Sequence, residues 1–321
     1  MRRSSTTVSI AAAFIFAAVS LPVTATQAAE SSKIVFANNV TGTFQIYIMD
    51  PDGSNLFQLT NLTNGAVFPA LSPDGQRVMF VSGPVDAFGN PIPDLFLVNV
   101  DGTSLTQLTH DGKSQAPRWS PDGSHIVFAR VGDSADPRFL PPFDVPPNVI
   151  ATMRVDGTGT FDVLTSDVWD SFAPMYTPDG NHIVFVSSLN GLVSATWIMN
   201  TDGSNKTLLT PPPPELSPGD VSADGLHIAL MNHQDTGQPT SIFTMNIDGS
   251  GLKRLTAAGA QHDNAPSFSP DGTKIVFDSD RLGIGTTDEL FTMTTDGTDI
   301  ALIPGVCTNS LCFLAYWGPK P

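Results

Sequence analysis

The segment Ser269-Pro270-Asp271-Gly272-Thr273-Lys274-Ile275-Val276-Phe277 decides the fold of this chain. Similar segments begin at residues 72, 120 and 177 and, in a degraded form, at 222, so successive starts lie 48, 57, 45 and 47 residues apart. In such a turn Pro presets φ, Asp bonds to nearby backbone and Gly accepts a positive φ. The alternating apolar residues behind it have the period of a half-buried strand. A repeat of this length, built from short strands and tight turns, predicts a propeller or a repeat array.

A second Asp-Gly turn follows each of these units and occurs six times, starting at residues 52, 101, 156, 202, 248 and 296. An apolar strand precedes it, as Leu290 to Met293 precede Asp296-Gly297. A further short strand usually ends in Leu-Thr, at residues 59–60, 108–109, 164–165, 209–210 and 255–256. The pattern therefore predicts four strands in each repeat.

The two ends of the chain complete one another in this repeat. The tail segment 314–319 aligns with residues 117–121 and 174–178, and the head segment 33–36 aligns with 274–277. We therefore predict an all-β, six-bladed β-propeller with four-stranded antiparallel blades. The C-terminal strand joins the N-terminal blade and closes the ring, which protects sheet edges from aggregation.

The N-terminal segment is predicted to be a signal peptide, residues 1–29, ahead of a propeller domain, residues 30–321. Arg2 and Arg3 precede an apolar run over residues 10–21, and small residues follow to Ala29. The run is too short for a membrane span. Twin-arginine export is an alternative route, although Ser-Ser-Thr follows the arginines. No Cys follows the signal, so we expect no lipid anchor, no membrane insertion and a periplasmic or secreted protein.

The chain is strongly acidic. Its formal net charge is −16, and removal of residues 1–29 takes away two Arg and no acid, which makes the charge −18. Such a protein repels nucleic acid and anionic membranes, so we expect no nucleic-acid partner. Solubility is the simplest explanation of the charge, and attraction of a basic partner or a metal cation is the second. We expect a monomer.

Cys307 and Cys312 are the only cysteines. Export to an oxidising compartment favours a disulfide between them, and two reduced packing residues are the alternative. The loop is so short that a bond would add little stability. Without a nearby His, the pair does not predict a zinc site.

The aromatic-Ser-Pro-Asp-Gly-x-x-Ile-x-Phe unit, the Met-x-x-Asp-Gly turn and the Leu-Thr ending resemble the TolB-like β-propeller family with its WD40-like Pro-Asp repeat. Ser279-Asp280-Arg281 also resembles a tripeptide that often follows this strand there. The resemblance covers about residues 33–319 and implies the six-bladed fold. TolB itself carries an N-terminal α/β domain and takes part in the Tol–Pal envelope system. Only a few residues separate the signal from the first strand here, so we expect a stand-alone propeller and do not carry over that role.

The topology of a four-stranded meander sorts the connections between two faces. Both Asp-Gly turns of every blade lie on one side, the turn face. The loops between second and third strands and the links between blades lie on the other side, the loop face. Function on a rigid scaffold concentrates in variable loops. We therefore expect a binding site on the loop face, around the mouth of the channel.

The longest loop-face insertion, residues 132–148, has five prolines together with Arg138, Phe139 and Phe143. Stiffening by Pro and exposed Phe side chains predict a contact surface. The alternative is a loop that folds against its own blade.

The other candidates lie at the starts of innermost strands and in one further loop. Trp169 and Asp170, His262 and Asp263 would bind a cation, a basic side chain or a sugar, and Arg281 begins the loop 281–288. The alternative role is hydrogen bonding that caps loop backbone. His125, His182 and His227 share one repeat position with Arg77 and Lys274, so we interpret that position as solvated strand rather than a metal site.

The sequence lacks the Gly-x-Ser-x-Gly, His-Glu-x-x-His and phosphate-loop motifs. We therefore predict an exported, non-catalytic propeller that binds a protein or peptide partner, in the envelope or outside the cell, through the loop face. The alternative is a propeller enzyme, a hydrolase or lyase on polysaccharide or peptide, with its site in the channel mouth. Some TolB-like propellers are lyases whose metal is held by several His. Converging His and carboxylates would favour an enzyme, whereas isolated polar groups among hydrophobic side chains would favour binding.

No cofactor is predicted. Calcium is the alternative, because Asp278, Asp280, Gly283 and Glu289 have calcium-loop spacing, but Leu282 occupies a ligand position of that motif.

Overall fold

The architecture is given by a computed structural model, which describes residues 32–85, 92–133, 146–156, 158–166, 169–188, 194–210, 215–232, 239–257, 259, 261–283, 288–307 and 310–319. Within these residues the regular structure consists of 24 strands in six four-stranded sheets. The described part of the chain contains no helix with the length and apolar character needed to cross a membrane.

The strands are short and follow one another in the predicted order. The first half of the chain contains β1 (Ser32–Asn38), β2 (Gln45–Met49), β3 (Phe57–Gln58), β4 (Val67–Leu71), β5 (Arg77–Ser82), β6 (Asp94–Asn99), β7 (Thr106–Gln107), β8 (Ser114–Trp119), β9 (His125–Val131), β10 (Asn148–Arg154), β11 (Phe161–Val163) and β12 (Ser171–Tyr176). The second half contains β13 (His182–Ser187), β14 (Ala195–Asn200), β15 (Thr207–Leu208), β16 (Leu216–Val221), β17 (His227–Asn232), β18 (Ile242–Asn246), β19 (Lys253–Arg254), β20 (Asp263–Phe268), β21 (Lys274–Ser279), β22 (Glu289–Thr294), β23 (Ala301–Leu302) and β24 (Cys312–Pro319).

The last strand of the chain closes the ring. β24 pairs antiparallel with β1, so that Trp317 lies opposite Ile34 and Tyr316 opposite Val35. The Trp317 indole Nε1–H also donates to the Ser32 hydroxyl at 2.8 Å. The first blade therefore has the order β24-β1-β2-β3, and the second to sixth blades each use four consecutive strands. The predicted six-bladed propeller with its C-terminal closure is confirmed.

The Ser-Pro-Asp-Gly turns have a local hydrogen-bond pattern that explains their recurrence. In the third blade the Ser120 hydroxyl donates to Asp122 at 2.6 Å and accepts the backbone N–H of His125 at 2.9 Å. Gly123 takes φ 68°, which favours glycine. Hydrogen bonds, first of all from Ser120, lower the pKa of Asp122 to about 2. The same pattern persists at Ser222 and Asp224, where Ala replaces Pro.

The core repeats with the blades. The second strands of five blades each bury one phenylalanine completely, namely Phe36, Phe80, Phe128 and Phe277, with Phe185 only 2% exposed. The fifth blade has Leu230 at the equivalent place, also fully buried. Burial of apolar area is the main source of stability, so this position is a principal element of each blade.

The Leu-Thr motif joins strands within a blade and meets a glycine of the next blade. The Thr60 hydroxyl accepts the backbone N–H of Ile46 at 2.9 Å, and Thr109, Thr165, Thr210 and Thr256 do the same in their blades. The carbonyl oxygen of the preceding Leu faces the second Asp-Gly turn of the following blade. A Cβ placed on Gly249 would lie only 2.7 Å from the Leu209 oxygen. Glycine at this turn therefore permits close blade-to-blade contact.

We expect Gly249→Ala to destabilise the propeller more than Gly102→Ala. Both glycines have similar positive φ, +85° and +81°, so both substitutions carry a backbone cost of roughly 1–2 kcal/mol. At Gly102 the nearest atom to a new Cβ is 3.6 Å away, so only Gly249→Ala adds overpacking, about 1–3 kcal/mol. Urea unfolding of the two variants measures the difference, and equal losses would contradict the close contact.

Candidate binding site in the central channel

The innermost strands bulge at the wall of the channel. Register shifts interrupt the pairing of β4, β8, β12, β16, β20 and β24 with their neighbours. Five of the bulges contain a non-glycine residue with positive φ, namely Phe68, Ala116, Ala173, Ala265 and Leu314, and Pro218 takes the equivalent place in β16. Such bulges locally re-aim side chains, and here their residues line the channel.

A cavity of about 450 Å³ occupies the centre of the ring. All six innermost strands contribute to its wall. Its apolar side chains include Phe68, Phe172, Met175, Met231 and Leu314. Its polar side chains, Gln115, Arg118, Asn148 and Ser217, are distributed among apolar ones. This size and character suit a small ligand or the end of a larger one.

A second cavity, of about 510 Å³, adjoins the first on the loop face. The two share Met231, Ala265 and Leu314 as lining residues, so the channel continues to that face. Asp278 and Asp288 line the outer cavity. Burial, followed by the negative charge of Asp288, raises the pKa of Asp278 to about 7. Burial also raises the pKa of Asp288. This mouth therefore holds two carboxyl groups, of which Asp278 is partly protonated near neutral pH.

A polar layer in the middle of the channel separates the central cavity from a depression on the turn face. Asp220 and Tyr316 line the depression, of about 310 Å³, whereas Arg118 lines the cavity. The guanidinium carbon of Arg118 lies 5.4 Å from the centroid of the Tyr316 ring. Burial raises the pKa of Asp220 to about 6 and raises the pKa of Tyr316. Burial lowers the pKa of Arg118, although an arginine remains protonated in proteins.

The candidates Trp169 and Asp170 lie in the link between the third and fourth blades. The Asp170 carboxylate accepts hydrogen bonds from the backbone N–H and the side-chain amide of Asn148, at 2.8 and 2.9 Å. Asp170 thus fixes a residue of the channel wall, which corresponds to the capping alternative. Trp169 lines a separate depression with Phe185 and Trp197.

The candidates His262, Asp263 and Arg281 lie together at the sixth blade. Arg281 Nη2 donates to the fully buried Asp263 at 2.7 Å, and its guanidinium carbon lies 4.7 Å from the Phe291 ring centroid. The backbone N–H of His262 donates to Asp280 at 2.7 Å, and its ring Nδ1 lies 3.0 Å from the second oxygen of that carboxylate. These contacts hold the blade together. A binding role for the three residues stays a prediction.

The remaining predicted residues differ in what the structure describes. Arg138, Phe139 and Phe143 lie outside the described residues, as does the predicted signal peptide. The sulfur atoms of Cys307 and Cys312 are bonded and both residues are fully buried; Cys307 lies between β23 and β24, and Cys312 is the first residue of β24. The Asn38 side chain donates to the Cys312 sulfur at 3.1 Å, which ties this loop to β1.

Sequence reasoning missed the polar layer formed by Arg118, Asp220 and Tyr316. These residues share one repeat position with Ala70, Met175 and Ser267 in the other blades. The position lies two residues before the Ser or Thr that begins the first turn, or before Gly318 in β24. Charged residues at an inward-facing repeat position were the available signal. Among the described residues, no group of three or more His, Cys, Asp and Glu side chains is arranged to hold a metal ion.

The model of the TolB beta propeller domain family matches residues 25–210, more than half of the chain. Together with the six-bladed ring, this match shows that the chain belongs to the TolB β-propeller family. The assignment covers the fold and its repeat, and it agrees with the resemblance of the Pro-Asp motifs.

Similar sequences cover only part of this chain. A protein TolB homolog of Chlorobium luteolum is 31% identical over 160 residues, which are 50% of this chain and 32% of that protein. An uncharacterized protein of Agrobacterium fabrum is 35% identical over 105 residues, 30% of this chain and 36% of that protein. The chain thus matches about a third of the length of these relatives.

Solved structures show the same fold at lower sequence identity. TolB from Acinetobacter baumannii superposes with a TM-score of 0.73 at 24% identity, over 91% of this chain and 67% of that one. A putative TolB from Agrobacterium tumefaciens gives a TM-score of 0.64 at 19% identity, over 91% of this chain and 99% of that one.

Proposed function

We propose that this chain is an exported, periplasmic or secreted, non-catalytic propeller that binds a protein or peptide partner through its loop face. The observation that carries the proposal is the central cavity of about 450 Å³, which all six blades build and which continues into the loop-face mouth. An inserted segment of a partner would contact every blade at once. Membership of the TolB propeller family supports an envelope protein of this kind.

The chemistry of the wall favours binding over catalysis. Single polar groups stand among Phe, Met, Leu, Ala and Pro side chains, and apolar walls with a few polar groups are typical of binding sites. Asp278 and Asp288 line the mouth, where they can accept hydrogen bonds from a basic side chain of the partner and, when ionised, attract it. The wall is formed by strands hydrogen-bonded within their blades, and a preformed site reduces the ordering cost of binding.

Obstruction of the channel tests the proposal. Ala265 lines both cavities and has a φ of 46°, so Ala265→Trp places an indole at the passage between them. We expect at least tenfold less partner recovered by the immobilised Ala265→Trp protein than by the wild type. The measurement is affinity capture from native envelope and culture-supernatant fractions, quantified by mass spectrometry.

Ser104→Trp is the matched control. Ser104 also has a positive φ, 58°, but it is exposed in a turn-face connection. Capture by this variant should equal that of the wild type, and melting temperatures will show that both variants fold. Equal capture by the Ala265→Trp and wild-type proteins would contradict the channel site. Phe139→Ala with Phe143→Ala provides a separate test of the predicted insertion surface.

A further inference from the structure

Arg118 lines the central cavity with a cation, and no carboxylate of the described residues pairs with it. Its Nη1 donates to the carbonyl oxygen of the neighbouring Pro117 at 3.0 Å. Its Nε is buried and has no hydrogen-bond partner. Among the described residues no Asp or Glu oxygen lies within salt-bridge distance of the guanidinium; the salt bridges there are formed by other side chains. A buried donor that lacks a partner is costly, and the guanidinium to which this Nε belongs lines the cavity.

The nearest internal source of negative charge is already engaged. Asp220 attracts Arg118 at longer range, but its carboxylate accepts the Ser267 hydroxyl at 2.8 Å and the Phe268 backbone N–H at 2.9 Å. It also accepts the backbone N–H of Val221 at 2.9 Å. Tyr316 lies beneath the guanidinium and supplies a cation–π contact rather than a charge. The N–H groups of Arg118 at the cavity can therefore donate hydrogen bonds to an anion.

The surroundings of Arg118 specify what kind of anion fits. Phe68, Phe172 and Met175 line the same cavity, so a strongly hydrated inorganic ion would lose water without gaining apolar contacts. A carboxylate attached to an apolar group would gain both. A guanidinium also matches a carboxylate in geometry, since two parallel N–H groups meet two oxygens.

We propose that Arg118 binds the C-terminal carboxylate of a partner polypeptide whose last residue is apolar and enters the channel from the loop face. The inference rests on the proposed function, because it names the part of the partner that the channel receives. A chain end brings an apolar side chain and a carboxylate to the same Cα atom, and the partial protonation of Asp278 lowers the negative charge that this carboxylate passes at the mouth. A cavity of about 450 Å³ has room for such an end.

Short peptides test this directly. The probes are acetyl-Ala-Ala-Leu with a free C-terminal carboxylate and the same peptide with a C-terminal amide, titrated calorimetrically into the wild-type protein. We expect the acid to bind at least tenfold more tightly than the amide. Arg118→Met should bind both peptides with equal affinity, and Arg118→Lys should keep part of the preference, since a single ammonium replaces the fork.

Arg254→Met is the control, since it removes an arginine that lies on the outer strand β19, away from the channel. The guanidinium carbon of Arg254 lies 5.5 Å from the centroid of the Phe243 ring. It should keep the full preference for the acid. Equal binding of acid and amide to the wild type, no binding of either peptide, or a preference that survives in a folded Arg118→Met protein would each overturn the proposal. If Arg118→Met fails to fold, the wild-type comparison and Arg118→Lys still decide it.

The two proposals fail separately. If Ala265→Trp loses capture while the wild type binds acid and amide equally, the loop-face site is supported and the role of Arg118 as carboxylate anchor is contradicted. If the wild type clearly prefers the acid while Ala265→Trp captures as much partner as the wild type, the carboxylate anchor is supported and the channel is not the site of the captured partner.

Discussion

Ending the chain after Ser310, so that β24 is lost, is expected to abolish the cooperative unfolding transition of the propeller. β24 provides the innermost strand of the first blade and buries Cys312, Ala315 and Trp317. Without it β1 becomes an exposed edge whose Ile34 and Phe36 lose their cover. An unpaired apolar edge also promotes aggregation. Calorimetry and size-exclusion chromatography of the truncated chain measure the result.

A point substitution distinguishes the effect of losing the contacts between β24 and β1 from the effect of removing residues from the chain. Trp317→Ala should lower the free energy of unfolding by roughly 3–5 kcal/mol, because it removes a large buried side chain and the hydrogen bond to Ser32. Leu302→Ala, on the edge strand β23 with a 40% exposed side chain, should cost less than about 1 kcal/mol. A truncated chain that melts at the wild-type temperature would show that the pairing of β24 with β1 contributes nothing to the fold.

The fold was predictable because its determinants are local in the sequence. Ser120, Asp122 and Gly123 make their hydrogen bonds in the turn with one another and with the next two residues, so the four-residue motif carries its own structure. The closing strand was predictable for the same reason. Tyr316 and Trp317 align with residues of complete blades. The head of the chain lacks the first strand of its blade and the tail has one strand without a blade, so each has a single partner left to pair with.

The candidate site was less predictable because its contacts join blades that are distant in sequence. Arg118, Asp220 and Tyr316 come from three blades. They lie close together only because their common repeat position faces the channel in every blade of the closed ring. The loop-face candidates had the opposite problem. The sequence places Asp263 and Arg281 on the correct face, but it does not show that they bond to each other across β20 and β21. Periodicity gives a residue's position in the blade, whereas the direction of its hydrogen bonds depends on the assembled ring.

Phe277→Ala is expected to lower the free energy of unfolding by roughly 3–5 kcal/mol, because Phe277 is completely buried and its loss leaves a cavity in the sixth blade. Phe277 stacks on Phe291 with ring centroids 5.9 Å apart, and the guanidinium of Arg281 lies 5.1 Å from its centroid. The substitution therefore also weakens the contact that orients Arg281 toward Asp263. Denaturant unfolding followed by tryptophan fluorescence measures the loss.

The repeat supplies the controls for this substitution. Leu230 is the buried counterpart of Phe277 in the fifth blade, so the backbone geometry accepts a leucine there and Phe277→Leu should cost only about 1–2 kcal/mol. Phe57→Ala removes the same ring from a site where the side chain is 48% exposed, and it should cost less than about 1 kcal/mol. If Phe277→Ala and Phe57→Ala proved equally mild, the buried phenylalanine of each blade would not be what stabilises it. If Phe277→Leu were as damaging as Phe277→Ala, the ring of Phe277, rather than the apolar volume common to all six blades, would be the feature that the sixth blade requires.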